Sequence, residues 1–141
     1  MIRSISESPL YPIVNPKSIA FFGASNTFMR MGSIMLSSLQ ALGYEGKIFP
    51  VHPTEKVVRG LQAYSSILDV PEIPDLAIIV LPTEIVCRTL DDCGKKGIRS
   101  AIVVSGGFRE AGPEGAALQK ELETIARRHG IRFLGPNCLG V

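Results

Sequence analysis

Residues 17–25 read KSIAFFGAS, in which an unbroken apolar run, Ile19–Phe22, ends at a glycine. An apolar run of this length without polar alternation is typical of a strand that is buried on both faces. Four similar runs, each bordered by Gly or Pro, recur along the chain: Ile48–Val51, Leu76–Leu81, Ala101–Val104 and Ile131–Leu134. The sequence therefore predicts five buried strands, of which 19–22 is the first.

The segment that follows the first run has the spacing of an amphipathic helix. Met35, Leu39 and Leu42 lie four and three residues apart, so they fall on one side of a helix. Ser33 is placed to cap the start of this helix, and Gly43 is placed to end it. We expect these three apolar side chains to face the core.

Two longer helical patterns follow the third and fourth runs. The first opens at Thr83 and ends at Gly94 or Gly97; the second has Pro113 in its first turn and Gly130 after its last. Proline suits the first helical position because its missing N–H has no intrahelical partner there, and glycine suits the C-terminal stop. The predicted buried faces are Val86, Leu90 and Cys93 in the first helix and Leu118, Leu122 and Ile125 in the second.

Strands that alternate with helices and are buried on both faces predict an α/β fold. We expect a Rossmann-like parallel sheet of about five strands with helices on both faces, and at most a short helical turn near residues 65–68 between strands two and three. Counted along the chain, the expected strand order is 3-2-1-4-5, which places the ligand between strands one and four at their carboxyl ends. The 141 residues allow one such domain, at 18–141, after a proline-containing leader at 1–17.

The composition argues against several classes of function. Fifteen Lys and Arg against thirteen Asp and Glu give a net charge of +2, too even for the field that nucleic-acid binding usually needs. Three cysteines without a CxxC pair argue against a zinc site and a disulfide framework, and favour a reducing cytoplasm. No apolar run reaches the roughly 18 residues of a membrane span. We expect neither a metal nor a nucleic-acid or membrane partner.

The loop after the first strand, GASNTFMRMG at 23–32, leads into a helix. A glycine behind a buried strand lets backbone approach a ligand, and the N–H groups of a helix start favour a phosphate. The loop matches neither GxGxxG nor a P-loop, so a phosphate site and a plain tight turn both stay open. If the glycine makes room for a ligand, Gly23→Val should abolish binding and leave the fold intact.

The loop after the second strand departs from dinucleotide-binding proteins. Those proteins usually end this strand with Asp or Glu to hold the ribose hydroxyls, whereas here His52 and Pro53 stand at that point. Lys56 and Arg59 follow a few residues later and are placed to meet a phosphate near the ribose. A solvated basic loop explains the same two residues.

The remaining strand ends also carry small or turn-forming residues. Leu81 and Pro82 precede the second helix, Ser105–Gly107 follow the fourth strand, and Gly135-Pro136-Asn137-Cys138 follow the fifth. The glycine pair indicates a place where backbone comes close to another group. Because the carboxyl ends of parallel strands meet at one edge, the five loops together predict a single binding site.

The loop sequences, taken together, resemble a known family. The segments that carry the resemblance are GAS at 23–25, VHP at 51–53, LPT at 81–83, SGGF at 105–108 with Glu110, and LGPNCLGV at 134–141. Their order and spacing are similar to those of the N-terminal CoA-binding domain of NDP-forming acyl-CoA synthetases, which include ADP-forming acetate–CoA ligases and the alpha subunit of succinyl-CoA synthetase. The similarity covers about residues 10–141, and GPNC is its most specific element. His52 replaces the more usual Asn.

The resemblance implies coenzyme A as the bound cofactor and distributes its parts over the loops. The pyrophosphate or pantetheine arm would lie at Gly23, Ala24, Ser25 and Asn26, and Leu81 and Pro82 would flank it. The adenosine end would lie near Val51, Pro53 and Lys56, with Ser105, Gly106 and Gly107 beside the adenine or ribose. Asn137 and Cys138 would lie near the thiol.

Neither histidine of the chain occupies the phosphohistidine motif of this family. His129 stands in the last turn of a helix, where a capping or dipole role is expected, and His52 belongs to the cofactor loop. Cys138 lacks an evident base or positive field, so packing explains it better than nucleophilic catalysis. We therefore expect no catalytic residue in this chain.

The resemblance implies a CoA-binding domain of an acid–CoA ligase (ADP-forming), which catalyses acyl-CoA + ADP + phosphate to acid + ATP + CoA. The chain would bind CoA or acyl-CoA and position the thiol, while downstream phosphohistidine and ATP-grasp domains or a subunit complete the enzyme. One alternative is a CoA-sensing regulatory domain of a protein acetyltransferase. Another is a stand-alone nucleotide-binding module of NAD-like type, which the missing acidic residue after strand two disfavours.

Overall fold

The computed structural model describes residues 4–139, so the last two residues of the predicted final loop, Gly140 and Val141, lie outside the described residues. The strands are β1 Ser18–Phe22, β2 Lys47–Val51, β3 Val57–Val58, β4 Leu61–Gln62, β5 Leu76–Ile79, β6 Ser100–Val103 and β7 Arg132–Leu134. The helices are α1 Tyr11–Val14, α2 Met31–Ala41, α3 Thr83–Lys96 and α4 Pro113–His129. The predicted α/β architecture and its five main strands are confirmed.

The five main strands form one sheet in the order β2-β1-β5-β6-β7, and every neighbouring pair is parallel. Counted as five strands along the chain, this order is 2-1-3-4-5, so the predicted order 3-2-1-4-5 is wrong. The strand order reverses between β1 and β5, which moves the expected ligand-binding position from strands one and four to strands one and three.

The connection between β2 and β5 explains the strand order. In place of a crossover helix it contains the β3–β4 hairpin and a 3-10 turn, Ile67–Asp69. Tyr64 pairs with the outer edge of β2, since its N–H donates to Pro50 O and its carbonyl accepts from His52 N, both at 2.9 Å. This edge is occupied by the connection itself, so β5 adds to the sheet on the far side of β1.

Alternate strand residues divide the core between the two faces of the sheet. Ala20 and Phe22 of β1 pack on the face covered by α3 and α4, whereas Ile19 and Phe21 pack on the opposite face with Leu36 of α2. The strand order runs in opposite directions on the two sides of the β1–β5 pair. Since crossovers are right-handed, the helices on these two sides lie on opposite faces of the sheet. The expectation of helices on both faces is confirmed.

Helix α2 differs from its sequence-based description. It begins at Met31, so Ser33 lies inside the helix and is fully buried. Of the predicted buried face, Met35 and Leu39 are half-buried against the core, whereas Leu42 is 87% exposed beyond the helix end; the fully buried apolar side chain is Leu36. The buried face is therefore rotated relative to the predicted one. Gly32 packs directly on the loop after β1, since a Cβ on it would lie 2.2 Å from Gly23 O.

Helices α3 and α4 begin and end as expected. Gly97 and Gly130 adopt left-handed conformations as their C-caps, and Pro113 stands in the first turn of α4. The sequence also places Thr83 to cap α3, and this prediction is wrong, because the N-cap is Pro82 and no side chain caps the helix. The Thr83 hydroxyl bonds across the sheet edge, as described below.

The far ends of α3 and α4 are joined by an ionic cluster. His129 Nε2 lies 2.7 Å from Asp91 Oδ1, and Lys95 Nζ lies 2.9 Å from Asp91 Oδ2. The hydrogen bonds from Lys95 and His129 lower the pKa of the Asp91 carboxyl to about 2. His129 thus joins two helices in addition to standing at a helix terminus.

Buried apolar groups complete the packing. Cys93 is fully buried, as predicted, and burial raises the pKa of its thiol. Ile13 of α1 is buried among the residues of the α2 face, so part of the proline-containing leader packs on the sheet. In the described part of the chain, no helix combines the length and apolar character needed to cross a membrane.

Candidate functional site

Gly23 joins the ends of β1 and β5, the strands between which the order reverses. Its φ is +99°, and a Cβ on it would lie 1.8 Å from Val80 O. A glycine is therefore required at position 23 because the backbone there lies close to the end of β5. The expectation that Gly23→Val spares the fold is revised, because the substitution would push two strand ends apart.

The next two residues of this loop are buried. Ala24 packs into the core on the α2 face. Ser25 N donates to Ser33 Oγ at 3.0 Å, the Ser33 hydroxyl donates to Ser25 O at 2.9 Å, and Thr27 N donates to Ser25 Oγ at 3.2 Å. These contacts give the loop a defined shape against the first turn of α2.

Asn26 is exposed and connects this loop to the segment after β2. Its Nδ2 donates to Glu55 Oε2 at 2.8 Å and to Val57 O at 2.7 Å, and its Oδ1 accepts from Arg59 N at 2.9 Å. The Asn26 backbone N–H also donates to Glu55 Oε2 at 3.0 Å. One amide side chain thus holds the β3–β4 hairpin against the first loop.

The two basic residues of the second loop occupy different surroundings. Arg59 Nε donates to Ser37 Oγ at 3.1 Å, and its guanidinium carbon lies 5.3 Å from the centre of the Phe28 ring. These contacts hold Arg59 against α2 and the first loop. Lys56 is exposed and lines a separate groove of about 350 Å³. The residues around that groove are His52, Pro53, Thr54, Glu55, Lys56, Gln62, Ala63, Tyr64, Ser65 and Asp69.

The N-terminus of α2 is the helix start best suited to an anion at this edge. Arg30 is its N-cap, its first N–H groups have no side-chain cap, and its first turn contains no acidic residue. By contrast, the first turns of α3 and α4 contain Glu84 and Glu114. Free N–H groups and the positive end of the helix dipole favour a phosphate, which a nearby carboxylate would repel.

Ser105 joins the ends of β5 and β6. Its buried hydroxyl donates to Leu81 O at 2.6 Å and accepts from Leu81 N at 3.0 Å. The carbonyl of Ser105 accepts from Asn137 N at 2.9 Å, which attaches the loop after β7. The predicted residue Ser105 therefore contacts both Leu81 and Asn137, which were also predicted.

The glycine pair after β6 is held by two side chains whose contacts the sequence did not reveal. Thr83 Oγ1 donates to Gly106 O at 2.5 Å, and Gly107 N donates to Glu110 Oε1 at 2.6 Å. Backbone N–H groups of Glu110 itself and of Gly107 lower the pKa of the Glu110 carboxyl. A Cβ on Gly107 would lie 2.5 Å from Thr83 Oγ1. The backbone at this glycine therefore lies close to another group, as the sequence predicted.

The other predicted residues frame the same edge. Pro53, Pro82 and Asn137 are exposed, and Val51 is half-buried at the end of β2. Cys138 is half-buried and packs against the core on the α2 face. Asn137 has a φ of 57°, a left-handed conformation that asparagine tolerates. Within residues 4–139, no three His, Cys, Asp or Glu side chains are grouped to hold a metal ion.

A larger groove of about 520 Å³ lies elsewhere, between α1, α2 and the sheet. Its lining is mostly apolar and includes Ile19 and Leu76 near the amino ends of their strands. A nucleotide needs polar groups for its phosphates, so the strand-end loops fit such a ligand better than this groove does.

Comparison with known proteins identifies the family of the chain. A family described as CoA binding domain matches residues 17–141. The chain is 44% identical over 126 residues to "Acetate--CoA ligase [ADP-forming] II" of Archaeoglobus fulgidus, covering 89% of the chain and 19% of that protein. It is 42% identical over 128 residues to the alpha subunit of the corresponding Pyrococcus furiosus ligase II, covering 90% of the chain and 28% of the subunit.

A solved structure shows the same fold. The apo form of the dinucleotide-forming acetyl-coenzyme A synthetase 1 of Ca. Korarchaeum cryptofilum superimposes with a TM-score of 0.89 at 40% identity, over 93% of this chain and 28% of that one. The chain belongs to the CoA binding domain family. It spans from 19% to 28% of the length of these relatives.

Proposed function

We propose that this chain is the CoA-binding part of an ADP-forming acid–CoA ligase, in which acyl-CoA, ADP and phosphate are converted to acid, ATP and CoA. The observation that carries the proposal is the match to the CoA binding domain family over residues 17–141, nearly the whole chain. The names of the similar ligases, and the share of their length that the chain spans, support the assignment to a larger enzyme.

The task of this chain is to bind and orient CoA. We assign the pyrophosphate to the N-terminus of α2, where Arg30 and unpaired N–H groups lie beside the loop of Gly23, Ala24, Ser25 and Asn26. The adenosine end lies at Val51, Pro53 and Lys56. The pantetheine arm of CoA runs past Leu81 and Pro82. Ser105, Gly106 and Gly107 line the site. Asn137 and Cys138 lie at the thiol end.

CoA, when bound, supplies the thiol that accepts the acyl group. The residues of this chain contribute position, because a thiol held in a fixed orientation reacts as if at high effective concentration. We assign the acyl phosphate, the phosphohistidine and the nucleotide to other domains or a partner subunit with an ATP-grasp fold. A reducing cytoplasm is the compartment that the odd number of cysteines favours.

Calorimetric titration of the 141-residue chain with CoA, dephospho-CoA and NAD tests the binding assignment. We expect CoA to bind most tightly; tighter binding of NAD would overturn it. A second measurement follows thioester formation from ATP, acetate and CoA. We expect none from this chain, and steady turnover would show that the proposed division of labour is wrong.

A further inference from the structure

The imidazole ring of His52 accepts the backbone hydrogen bonds that form the first turn of the loop after β2. Nδ1 accepts hydrogen bonds from Glu55 N at 2.9 Å and from Thr54 N at 3.3 Å. Backbone N–H groups only donate, so Nδ1 must carry a lone pair and the ring must be neutral in this arrangement. The bonding is that of an Asx turn, in which a side-chain oxygen of Asn or Asp accepts from the backbone two or three residues ahead.

This turn determines where the next residues lie. It presents Glu55, whose carboxylate accepts the two hydrogen bonds from Asn26 that close the first loop against the second. It also precedes Lys56, whose carbonyl accepts from Ala63 N at 2.9 Å and so closes the groove at its hairpin side. The position of both loops therefore depends on an acceptor at Nδ1 of His52.

We propose that His52 is a positioning residue that organises the adenosine end of the CoA site only while its ring is neutral, so that CoA affinity falls as the pH is lowered. Protonation places an N–H where two backbone N–H groups already point, so both hydrogen bonds are lost. This inference rests on the proposed binding of CoA at these loops.

Other titratable groups share the groove with His52. These are the carboxylates of Glu55 and Asp69, the Lys56 ammonium and the Tyr64 hydroxyl. A charged ring would also attract the phosphates of CoA, which is an effect of opposite sign. The direction of the pH dependence therefore distinguishes a ring that holds the turn from a ring that contacts the ligand.

The experiment compares CoA affinity of the wild type, His52→Asn and His52→Ala by calorimetry at about pH 7.5 and about pH 5.5, which bracket the usual titration range of histidine. Asn restores a side-chain acceptor for the turn and does not titrate; Ala removes the acceptor. We expect wild type to lose roughly tenfold in affinity at the lower pH, beyond any change that His52→Asn shows, since two hydrogen bonds are lost. His52→Ala should bind weakly at both values.

His129→Asn is the matched control, since it removes the other histidine, which lies on α4 beside Asp91. It should keep the pH dependence of wild type. In the ligand-free chain, hydrogen exchange at the Thr54 and Glu55 amides should accelerate at low pH in wild type more than in His52→Asn, after correction for the intrinsic pH dependence of exchange.

The outcomes separate this inference from the proposed function. Identical pH dependence of wild type and His52→Asn, or tighter binding at low pH in wild type, would overturn the role of His52 and leave CoA binding intact. Failure of every variant to bind CoA at the higher pH would overturn the proposed function, and with it the inference. Full binding by His52→Ala would show that the turn forms without the ring.

Discussion

The loops at the carboxyl ends of the strands form two halves of one sheet edge, and the two halves are held together in different ways. The loops after β1 and β2 are joined by exposed polar groups, chiefly the Asn26 side chain and the Glu55 carboxylate, which bridge about thirty residues of sequence. The loops after β5, β6 and β7 are joined by the buried hydroxyl of Ser105 and by direct backbone contacts.

This difference separates stability from binding. A buried hydrogen-bonding group costs its full desolvation when its partner is removed, whereas an exposed one is replaced by water. Changes in the β5–β7 half should therefore lower the free energy of unfolding. Changes to the exposed contacts of the β1–β2 half should alter stability little and weaken ligand binding.

The largest expected effect is at Gly23, where the two halves meet. Gly23→Val places a Cβ 1.8 Å from Val80 O, so we expect a loss of more than about 3 kcal/mol in the free energy of unfolding, measured by urea denaturation. Gly43→Val is the control: Gly43 also has a positive φ, +79°, but a Cβ there meets nothing within 4 Å. It should cost about 1 kcal/mol. Equal losses would show that backbone strain, and not the contact with β5, makes Gly23 necessary.

The next effect is at the buried hydroxyl. Ser105→Ala leaves Leu81 N–H and C=O without their partner, and we expect a loss of about 2 kcal/mol in the free energy of unfolding. Ser65→Ala removes an exposed hydroxyl that bonds Asp69 and should change stability by less than about 0.5 kcal/mol. If both substitutions cost the same, burial does not distinguish the two halves of the edge.

In the exposed half, Asn26→Ala removes three side-chain hydrogen bonds. Because water replaces them, we expect a loss of about 1 kcal/mol or less in the free energy of unfolding, but a drop of roughly tenfold in CoA affinity as the two loops separate. Urea denaturation and calorimetry on the same sample measure both. A large loss of stability with unchanged affinity would reverse the comparison.

The smallest effect on stability is expected at Lys56, which is exposed. CoA carries a 3′-phosphate that dephospho-CoA lacks, and we expect CoA to bind about tenfold tighter, with Lys56→Ala removing most of the difference. Added salt should reduce it, because exposed charges are screened. Arg59→Ala is the contrasting variant, since Arg59 is held by Ser37 and Phe28. If Arg59→Ala removes the difference and Lys56→Ala does not, the assignment of the phosphate is wrong.

Which loops meet at the candidate site was predictable from their sequences, because small residues and turns after buried strands indicate where backbone must bend at the sheet edge. The set that contains Gly107, Ser105 and Asn137 was predicted in this way. The roles of Glu55, Glu110 and Thr83 were not, because each acts through a hydrogen bond to a loop from another part of the chain or to a turn whose shape the sequence does not specify.

The sequence by itself determined the five main strands, the three long helices and the buried faces of α3 and α4. Unbroken apolar runs at 19–22 and 76–81 predict strands buried on both sides, and Gly97 and Gly130 predict helix ends, because these signals depend on local conformation and on hydrophobic burial. Only the tertiary structure decided the strand order and the rotation of α2. Both depend on which surfaces are already occupied: Tyr64 covers the outer edge of β2, and Gly32 packs against Gly23.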